Sequence, residues 1–260
     1  MRVIDAGGDL AAQGIDLRLW LVDLEAAPFD DVPSQAQQQR AARFVRADDA
    51  RRYLAAHAAL RHLLGRHDWV AGTHGKPALA LPPPHFNMSR RGGVALIGVS
   101  ATHEIGVDVE PLQAMTDANE LAQLHFTPRE RDAVQRERGA ARDRAFLRCW
   151  TRKEACMKAT GCGLSLSPSS FECGAHAATE RVQVMAPQRA LRLPVNSPKL
   201  AGRDIGRVTA ELRAVLLERA PVAQGGLLGA EVVAFAGPLD GGPAGGDLLL
   251  HQRLHDVPAN

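Results

Sequence analysis

Apolar and polar positions in the first ninety residues follow first a strand period and then a helix period. The stretch "IDLRLWLVDLEA" places Leu17, Leu19 and Leu21 between polar neighbours, which predicts a strand over 15–26. Residues 40–67 carry apolar side chains at helical spacing among many arginines, which predicts one long helix. The glycines and prolines that follow, up to the serine of "FNMS", predict a loop.

The second half of the pattern is built from short strands and helices. The runs 94–100 and 105–110 are strand-like and separated by a short turn, so they predict a hairpin. Helical spacing resumes over 117–160, where "TPRE" at 127–130 predicts a helix start with a capping box. Three further strands are predicted, at 170–175, 207–217 and 229–237. This order of elements predicts an α+β fold.

The same order predicts how the chain divides. We expect an N-terminal α+β half over 1–110, a C-terminal α+β half over 111–237, and a Gly- and Pro-rich flexible tail over 238–260. Since no internal sequence repeat is evident, the prediction of two similar halves depends on element order alone.

Charge, apolar runs and cysteine spacing exclude several kinds of partner and site. The net charge of the 260 residues is +2, so no strong field would attract nucleic acid or acidic lipid, and neither is expected as a partner. The first residues lack the basic start and apolar run of a signal peptide, and no run is long enough to span a membrane, which predicts a cytoplasmic location. The four cysteines lack paired C-x-x-C spacing, so a structural zinc site or disulfide framework is not expected.

Two carboxylates share one face of the strand "IGVDVE". The strand period of two places Asp108, Glu110 and Gly106 together, with Ile105, Val107 and Val109 on the other face. Gly106 would leave an open space beside the carboxylates for a ligand. Such a pair suits a hard cation such as Mg²⁺. For this fragment alone, however, a half-exposed edge strand is the favoured interpretation.

The stretch "WTRKEACMKATGCG" places Glu154 and Lys158 one helical turn apart. This spacing is also that of the commonest surface ion pair in helices, so by itself it does not indicate a site. If the helix packs on the strand with Asp108 and Glu110, three carboxylates would meet beside a lysine, which suits Mg²⁺-dependent pyrophosphate chemistry. Lysines are scarce among the 31 basic residues, namely Lys76, Lys153, Lys158 and Lys199, and a retained lysine is a candidate for a compact, movable positive charge.

Together, "GVDVE" and "WTRKEACMKATGCG" resemble the two signatures of the 4′-phosphopantetheinyl transferases, in the longer, pseudodimeric, surfactin-type branch. The residues that fit the second signature are Trp150, Thr151, Lys153, Glu154, Ala155, Lys158, Gly161 and Gly163. The resemblance extends to "HGKP", "FNMS" and the Arg-rich helix, and covers roughly 15–236.

The resemblance implies a fold and a reaction. The fold would be an intramolecular pseudodimer of two α+β halves, monomeric, with the active site in the cleft between them. The reaction would move the 4′-phosphopantetheine arm of coenzyme A to a serine of an acyl or peptidyl carrier protein and release adenosine 3′,5′-bisphosphate. The sequence does not indicate which carrier or pathway is served.

The resemblance also implies roles for single residues. Asp108, Glu110 and Glu154 would hold Mg²⁺, Glu154 would take the proton of the carrier serine, and Lys158 would contact the pyrophosphate. Coenzyme A would be bound by Arg52, Gly75, Lys76, Pro77, Ser89, Arg90 and Lys153. Lys153 points about 100° away from Glu154 on the helix. Arg90 stands where the family has a histidine, and its longer fork need not make the same phosphate contact.

Two other functions stay open at this point. A non-catalytic coenzyme A or carrier-protein binding module would keep the fold, and the Arg90 departure is compatible with it, whereas the three acidic residues argue against it. Another Mg²⁺-dependent pyrophosphate-cleaving enzyme is the second alternative, but the chain has no P-loop to support it.

Overall fold

A computed structural model describes residues 2–5, 16–26, 32–65, 69–71, 75–161, 163–176, 213–218 and 230–236. The strands are β1 (Arg2–Asp5), β2 (Arg18–Asp23), β3 (Trp69–Ala71), β4 (Pro77–Leu79), β5 (His85–Arg91), β6 (Val94–Ser100), β7 (Ile105–Pro111), β8 (Arg213–Glu218) and β9 (Ala230–Ala236). The α-helices are α1 (Gln35–Ala41), α2 (Ala47–Leu64), α3 (Ala118–His125), α4 (Pro128–Arg136) and α5 (Gly139–Thr160). The fold is therefore of mixed α and β type, as predicted.

The first sheet has the antiparallel order β1-β2-β6-β5, and α2 covers one of its faces. Alternate residues of β2 and β6, such as Trp20 and Ile97, pack on Ala56, Ala59 and Leu60 of α2 in one apolar core. The prediction of β2 is confirmed. Burial of this apolar face is what holds α2 on the sheet.

The long helix predicted over 40–67 is in fact two helices. The α1 helix begins with a capping box between Ser34 and Gln37 and ends at Ala41. The α2 helix starts only at Ala47 and ends at Leu64, and its C-cap Gly65 has a φ of 61°. Because the capping box sets the start of α1 at Gln35, α1 begins before the predicted start at residue 40. The helical spacing seen around residue 40 is that of the last turn of α1.

The hairpin predicted for β6 and β7 is wrong. The β7 strand pairs with β9 in a second antiparallel sheet of order β7-β9-β8. Its apolar face packs on the first sheet instead: a Cβ built on Gly98 of β6 would lie 2.7 Å from Val107 Cγ1 and 3.1 Å from Ile105 Cδ1. Asn87 of β5 fixes this crossing, because its side-chain oxygen accepts a hydrogen bond from Val107 N at 2.9 Å.

The loop predicted before residue 90 contains two strands. β4 pairs with β3, and β5 forms the edge of the first sheet with Phe86 buried. The three prolines at 82–84 lie between them. Proline is the first residue of β4 and directly precedes β5, so here it marks where a strand begins, a position that needs no ladder donor.

Helices α3, α4 and α5 pack together in a second apolar core. Phe126 and Phe146 stack with their ring centroids 5.1 Å apart, and Trp150 stacks on Phe146 at 6.2 Å. The predicted capping box is confirmed, because Thr127 and Glu130 each accept from the other's backbone N–H. The predicted glycine exit of α5 is confirmed too, as shown by the φ of 68° at Gly161.

The structure confirms only some of the remaining predictions. Residues 168–170 form a single 3-10 turn and 170–175 lack the predicted strand. The strand predicted over 229–237 is confirmed as β9, and that over 207–217 overlaps β8 while its start lies outside the described residues. The tail 238–260 also lies outside them.

Cys149, Cys156 and Cys173 are buried free thiols. Across the helices that the structure describes, none is long and apolar enough to cross a membrane.

Candidate active site

The α5 helix lies directly on β7 at Gly106. A Cβ at this position would be 2.0 Å from Ala155 O and 2.3 Å from Ala159 N, so only glycine permits the contact. The prediction that Gly106 opens a space for a ligand is therefore wrong, because the helix backbone fills it. The close approach brings the face of α5 with Glu154 and Lys158 to the acidic face of β7.

Asp108 forms the centre of this contact. It is 3 % exposed, and its Oδ1 accepts from Ser89 Oγ at 2.8 Å and from Lys158 Nζ at 2.6 Å. Lys158 also donates to Ser89 Oγ at 3.1 Å. The other carboxylate oxygen, Oδ2, is buried and has no hydrogen-bond partner. A buried anionic oxygen without a donor is costly, which is typical of a position meant for a further cation.

Glu110 and Glu154 are half-buried on either side of Asp108. Burial raises the pKa of Glu110, and the negative charges of Asp108 and Glu154 add to the rise. Burial likewise raises the pKa of Glu154, with a further contribution from Asp108 that Lys158 opposes. Carboxylates that repel one another in this way favour a shared cation. Within the described parts of the chain, however, no three His, Cys, Asp or Glu side chains converge closely enough to form a ready metal cage.

A cavity of about 270 Å³ adjoins this pair of elements. Its lining residues are Gly75, Lys76, Pro77, Asn87, Met88, Glu154, Met157, Lys158, Gly161 and Gly163. The lining has three charged residues, Lys76, Glu154 and Lys158, beside glycines and methionines, which suits a ligand that has both a charged and an apolar part.

Lys76 lines the cavity, but its ammonium makes other contacts than the predicted phosphate contact. Nζ donates to Glu104 Oε2 at 2.6 Å, to Ile105 O at 2.9 Å and to Ala159 O at 3.2 Å. All three of its hydrogens are therefore used within the protein.

Lys153, which is predicted as a coenzyme A ligand, is not among the residues that line the cavity. Its side chain is fully buried on the far side of α5. Nζ forms an ion pair with Glu130 Oε2 at 2.7 Å and donates to the carbonyls of Pro168 and Phe171 at 2.7 and 2.6 Å. The physical reason is the helical rotation of 100° per residue, which turns Lys153 toward α4 when Glu154 faces β7.

The two predicted arginines are engaged elsewhere. Arg52 Nε donates to Glu25 Oε1 at 2.6 Å, and Arg52 also pairs with Asp49 at 3.5 Å. The guanidinium of Arg90 lies over the ring of Tyr53 at 5.1 Å and over that of Phe44 at 5.5 Å. Neither contacts Asp108 or Lys158, whereas Ser89 contacts both. The structure thus brings together Ser89, Asp108, Glu110, Glu154 and Lys158 and leaves these arginines outside the group.

Replacing Arg90 tests what its aromatic contacts contribute. We expect Arg90→Met to lower the free energy of unfolding by about 1 kcal/mol, the size of a partly desolvated cation–π contact. Urea unfolding would measure it, with Arg43→Met, an exposed arginine near Phe44, as the control. A loss no larger than that of the control would show that Tyr53 and Phe44 do not stabilise the guanidinium.

Several lining residues were not predicted from the sequence. Met157 and Gly161 follow Glu154 by three and seven positions, so helical periodicity places them on the same face as Glu154. This spacing could have predicted them from the sequence. Met88 and Asn87 belong to "FNMS" and would have followed from recognising β5 as a strand. The ion pairs of Glu104 with Lys76 and of Glu130 with Lys153 gave no local signal, because the partners are distant in sequence.

Comparisons with known proteins agree with this geometry. The family model of the 4′-phosphopantetheinyl transferase superfamily matches residues 104–194, which include β7 and α5. HetI of Nostoc, a 4′-phosphopantetheinyl transferase, is 32% identical over 172 residues, 58% of this chain and 70% of that protein. The Synechocystis protein slr0495, provisionally assigned to the same activity, is 35% identical over 162 residues, 57% of this chain and 66% of that protein.

A third relative has a lower sequence identity. The 4′-phosphopantetheinyl transferase ffp of Bacillus subtilis is 28% identical over 164 residues, 60% of this chain and 71% of that protein. With matches of this extent, the chain belongs to the 4′-phosphopantetheinyl transferase superfamily and is a transferase of that class.

Proposed function

We propose that the chain catalyses Mg²⁺-dependent transfer of the 4′-phosphopantetheine arm of coenzyme A to a serine of an acyl or peptidyl carrier protein, with release of adenosine 3′,5′-bisphosphate. The observation that carries this proposal is the contact of α5 with β7, which joins Asp108 to Lys158 and places Glu154 beside them. The names of the curated relatives support the reaction class.

The residues present fit a magnesium ion. Burial, with an added contribution from the charge of Asp108, raises the pKa of Glu110 and of Glu154, so a cation beside the buried, unpartnered Oδ2 of Asp108 would favour the ionised form of both glutamates. Asp108, Glu110 and Glu154 would hold the ion through oxygen ligands, the kind that Mg²⁺ prefers. When bound, the ion supplies positive charge that offsets the charge developing on the pyrophosphate.

Three side chains would act on the substrates. Lys158 can place its ammonium on the pyrophosphate, since it lines the cavity and its hydrogen bonds to Asp108 and Ser89 use two of the three ammonium hydrogens. Glu154 would accept the proton of the carrier serine, and a carboxylate with a raised pKa is better matched to that proton than an ordinary one. Ser89 orients Asp108 and Lys158 through its hydroxyl.

We also propose the pseudodimeric arrangement. Its support is that each sheet packs on one long helix, α2 on the first and α5 on the second. Because β7 pairs with β9, we place the junction of the halves before Ile105 and not after Glu110. The cavity lies where β5 of the first half meets α5 of the second. As before, we expect a cytoplasmic monomer.

Substitution of Glu154 tests the function. Purified protein would be incubated with coenzyme A, Mg²⁺ and a panel of apo carrier proteins, and the carriers read by intact mass. We expect a phosphopantetheine mass gain on a serine, abolished by EDTA, with a rate about 10²- to 10⁴-fold lower for Glu154→Gln, as for loss of a general base.

The control is Glu120→Gln, which makes the same change on the exposed surface of α3 and should keep the full rate. If no carrier gains mass while coenzyme A still binds, the chain is a binding module and the proposed transfer is wrong.

A further inference from the structure

Glu104, the residue before β7, joins two polar side chains at the edge of the cavity. Its Oε2 accepts from Lys76 Nζ at 2.6 Å, and its Oε1 lies 2.9 Å from His85 Nδ1 at the start of β5. Burial acts to raise the pKa of Glu104, but the charge and hydrogen bond of Lys76 outweigh it with help from His85, so that the pKa lies below its usual value. The carboxylate is therefore held as an anion.

Lys76 connects this carboxylate to the end of α5. Its Nζ also donates to Ala159 O in the last helical turn, where a positive charge is favoured by the exposed carbonyls. A Cβ on Gly161 would lie 3.6 Å from Lys76 Cδ, so the stem packs closely along the helix exit. The segment Gly75–Pro77, which lines the cavity, is thereby fastened to the helix that carries Glu154 and Lys158.

The helix itself has other attachments. It packs without a gap on Gly106, and its far side is fixed by the ion pair of Lys153 with Glu130. Removing the Glu104 charge would therefore loosen the Gly75–Pro77 wall while α5 stays in place. We therefore expect removal of the Glu104 charge to weaken ligand binding and not the chemical step, because the catalytic groups lie on α5 and β7.

We propose that Glu104 is a positioning residue for coenzyme A: it fixes Lys76 and so holds the Gly75–Pro77 wall of the cavity against the end of α5. This inference rests on the proposed function. It assigns Glu104 no contact with the substrate.

Glu104→Gln removes the charge and keeps the size of the side chain. We expect the KM for coenzyme A to rise about tenfold with kcat within about twofold of the wild type, which is the pattern for loss of binding that is equal in ground and transition states. Glu104→Asp keeps the charge on a shorter side chain and should give an intermediate KM. Titration calorimetry of coenzyme A with each variant should show the same order of Kd.

Glu172→Gln is the matched control, since it also removes a glutamate charge from an ion pair, in this case with Arg129 at 3.4 Å, away from the cavity. It should leave KM and Kd unchanged. A lower KM in Glu104→Gln would show that Glu104 competes for Lys76 and would overturn the proposal. An unchanged KM with only a lower melting temperature would also overturn it, because a merely structural role predicts that result.

The two proposals fail differently. If the wild type modifies no carrier but the Kd for coenzyme A rises in Glu104→Gln, the transfer function is wrong and the positioning role stands. If the wild type modifies carriers and the Kd is unchanged in Glu104→Gln, only the positioning role is wrong. A wild type that does not bind coenzyme A overturns both.

Discussion

Gly106→Ala is expected to abolish most of the activity and to destabilise the protein. An added Cβ would lie 2.0 Å from Ala155 O, and real Cβ contacts are almost never shorter than 3.0 Å, so α5 must move off β7 by about 1 Å. Overpacking against backbone costs about 3 kcal/mol, because no flexible side chain can yield. A displacement of that size between catalytic groups lowers a rate about 10²-fold.

The measurements are urea unfolding and the rate of carrier modification at a temperature where the variant is folded. Gly93→Ala is the matched control: its Cβ would lie 2.9 Å from Glu25, but only from the flexible side chain, which can move aside. We expect near wild-type behaviour there. Equal stability and activity for Gly106→Ala would mean that α5 does not pack on β7 as described.

The local parts of this site were predictable from the sequence. A strand period puts Asp108 and Glu110 on one face, and a helix period puts Glu154 and Lys158 on another, without knowledge of the fold. The resemblance supplied the remaining step, that these two faces meet. The face on which each of these residues lies is decided by its spacing from neighbours in the same element, and this spacing can be seen in the sequence.

The pairing of β7 was not predictable in the same way. Consecutive strands pair or neighbour each other about two-thirds of the time, which favoured a hairpin of β6 and β7. The actual partner, β9, lies more than a hundred residues further along the chain, from Ala230 to Ala236. A glycine in a strand signals that something approaches closely, yet the sequence around Gly106 does not distinguish a ligand from a helix backbone.

The position of Lys153 was not predictable for a similar reason. The scarcity of lysine drew attention to each one equally, although scarcity cannot separate a buried structural ammonium from one that binds phosphate. The partner that decides, Glu130, belongs to the capping box of another helix. Its second role, as acceptor for Lys153, depends on how α4 and α5 pack.

Lys153→Met is expected to lower the free energy of unfolding by about 3–5 kcal/mol. The substitution keeps the stem but removes the charge, and so leaves the fully buried carboxylate of Glu130 without its counter-ion. The remaining donors, the backbone N–H groups of Cys173 and Gly174 and of Thr127, satisfy hydrogen bonds but carry no full charge. A melting temperature about 10 °C lower would follow for a domain of this size.

Combining Lys153→Met with Glu130→Gln separates pairing from packing. With both charges gone, the double variant should be more stable than Lys153→Met alone, since no unpaired buried charge remains. Arg129→Met, which removes a cation that is 81 % exposed, is the control and should change stability little. Additive losses in the double variant would contradict a coupled ion pair.

The pH dependence and the kinetics of Lys153→Met complete this test. Burial acts to raise the pKa of Glu130, but Lys153 and the hydrogen bonds outweigh it and hold the pKa below 4.5. A carboxylate with a lowered folded pKa adds stability above its unfolded value and loses it as the pH falls through the folded one. The stability gap between wild type and Lys153→Met should therefore narrow below about pH 4.5. Because Lys153 does not line the cavity, the KM of the folded variant for coenzyme A should equal that of the wild type. A raised KM at unchanged stability would support the prediction that Lys153 is a coenzyme A ligand.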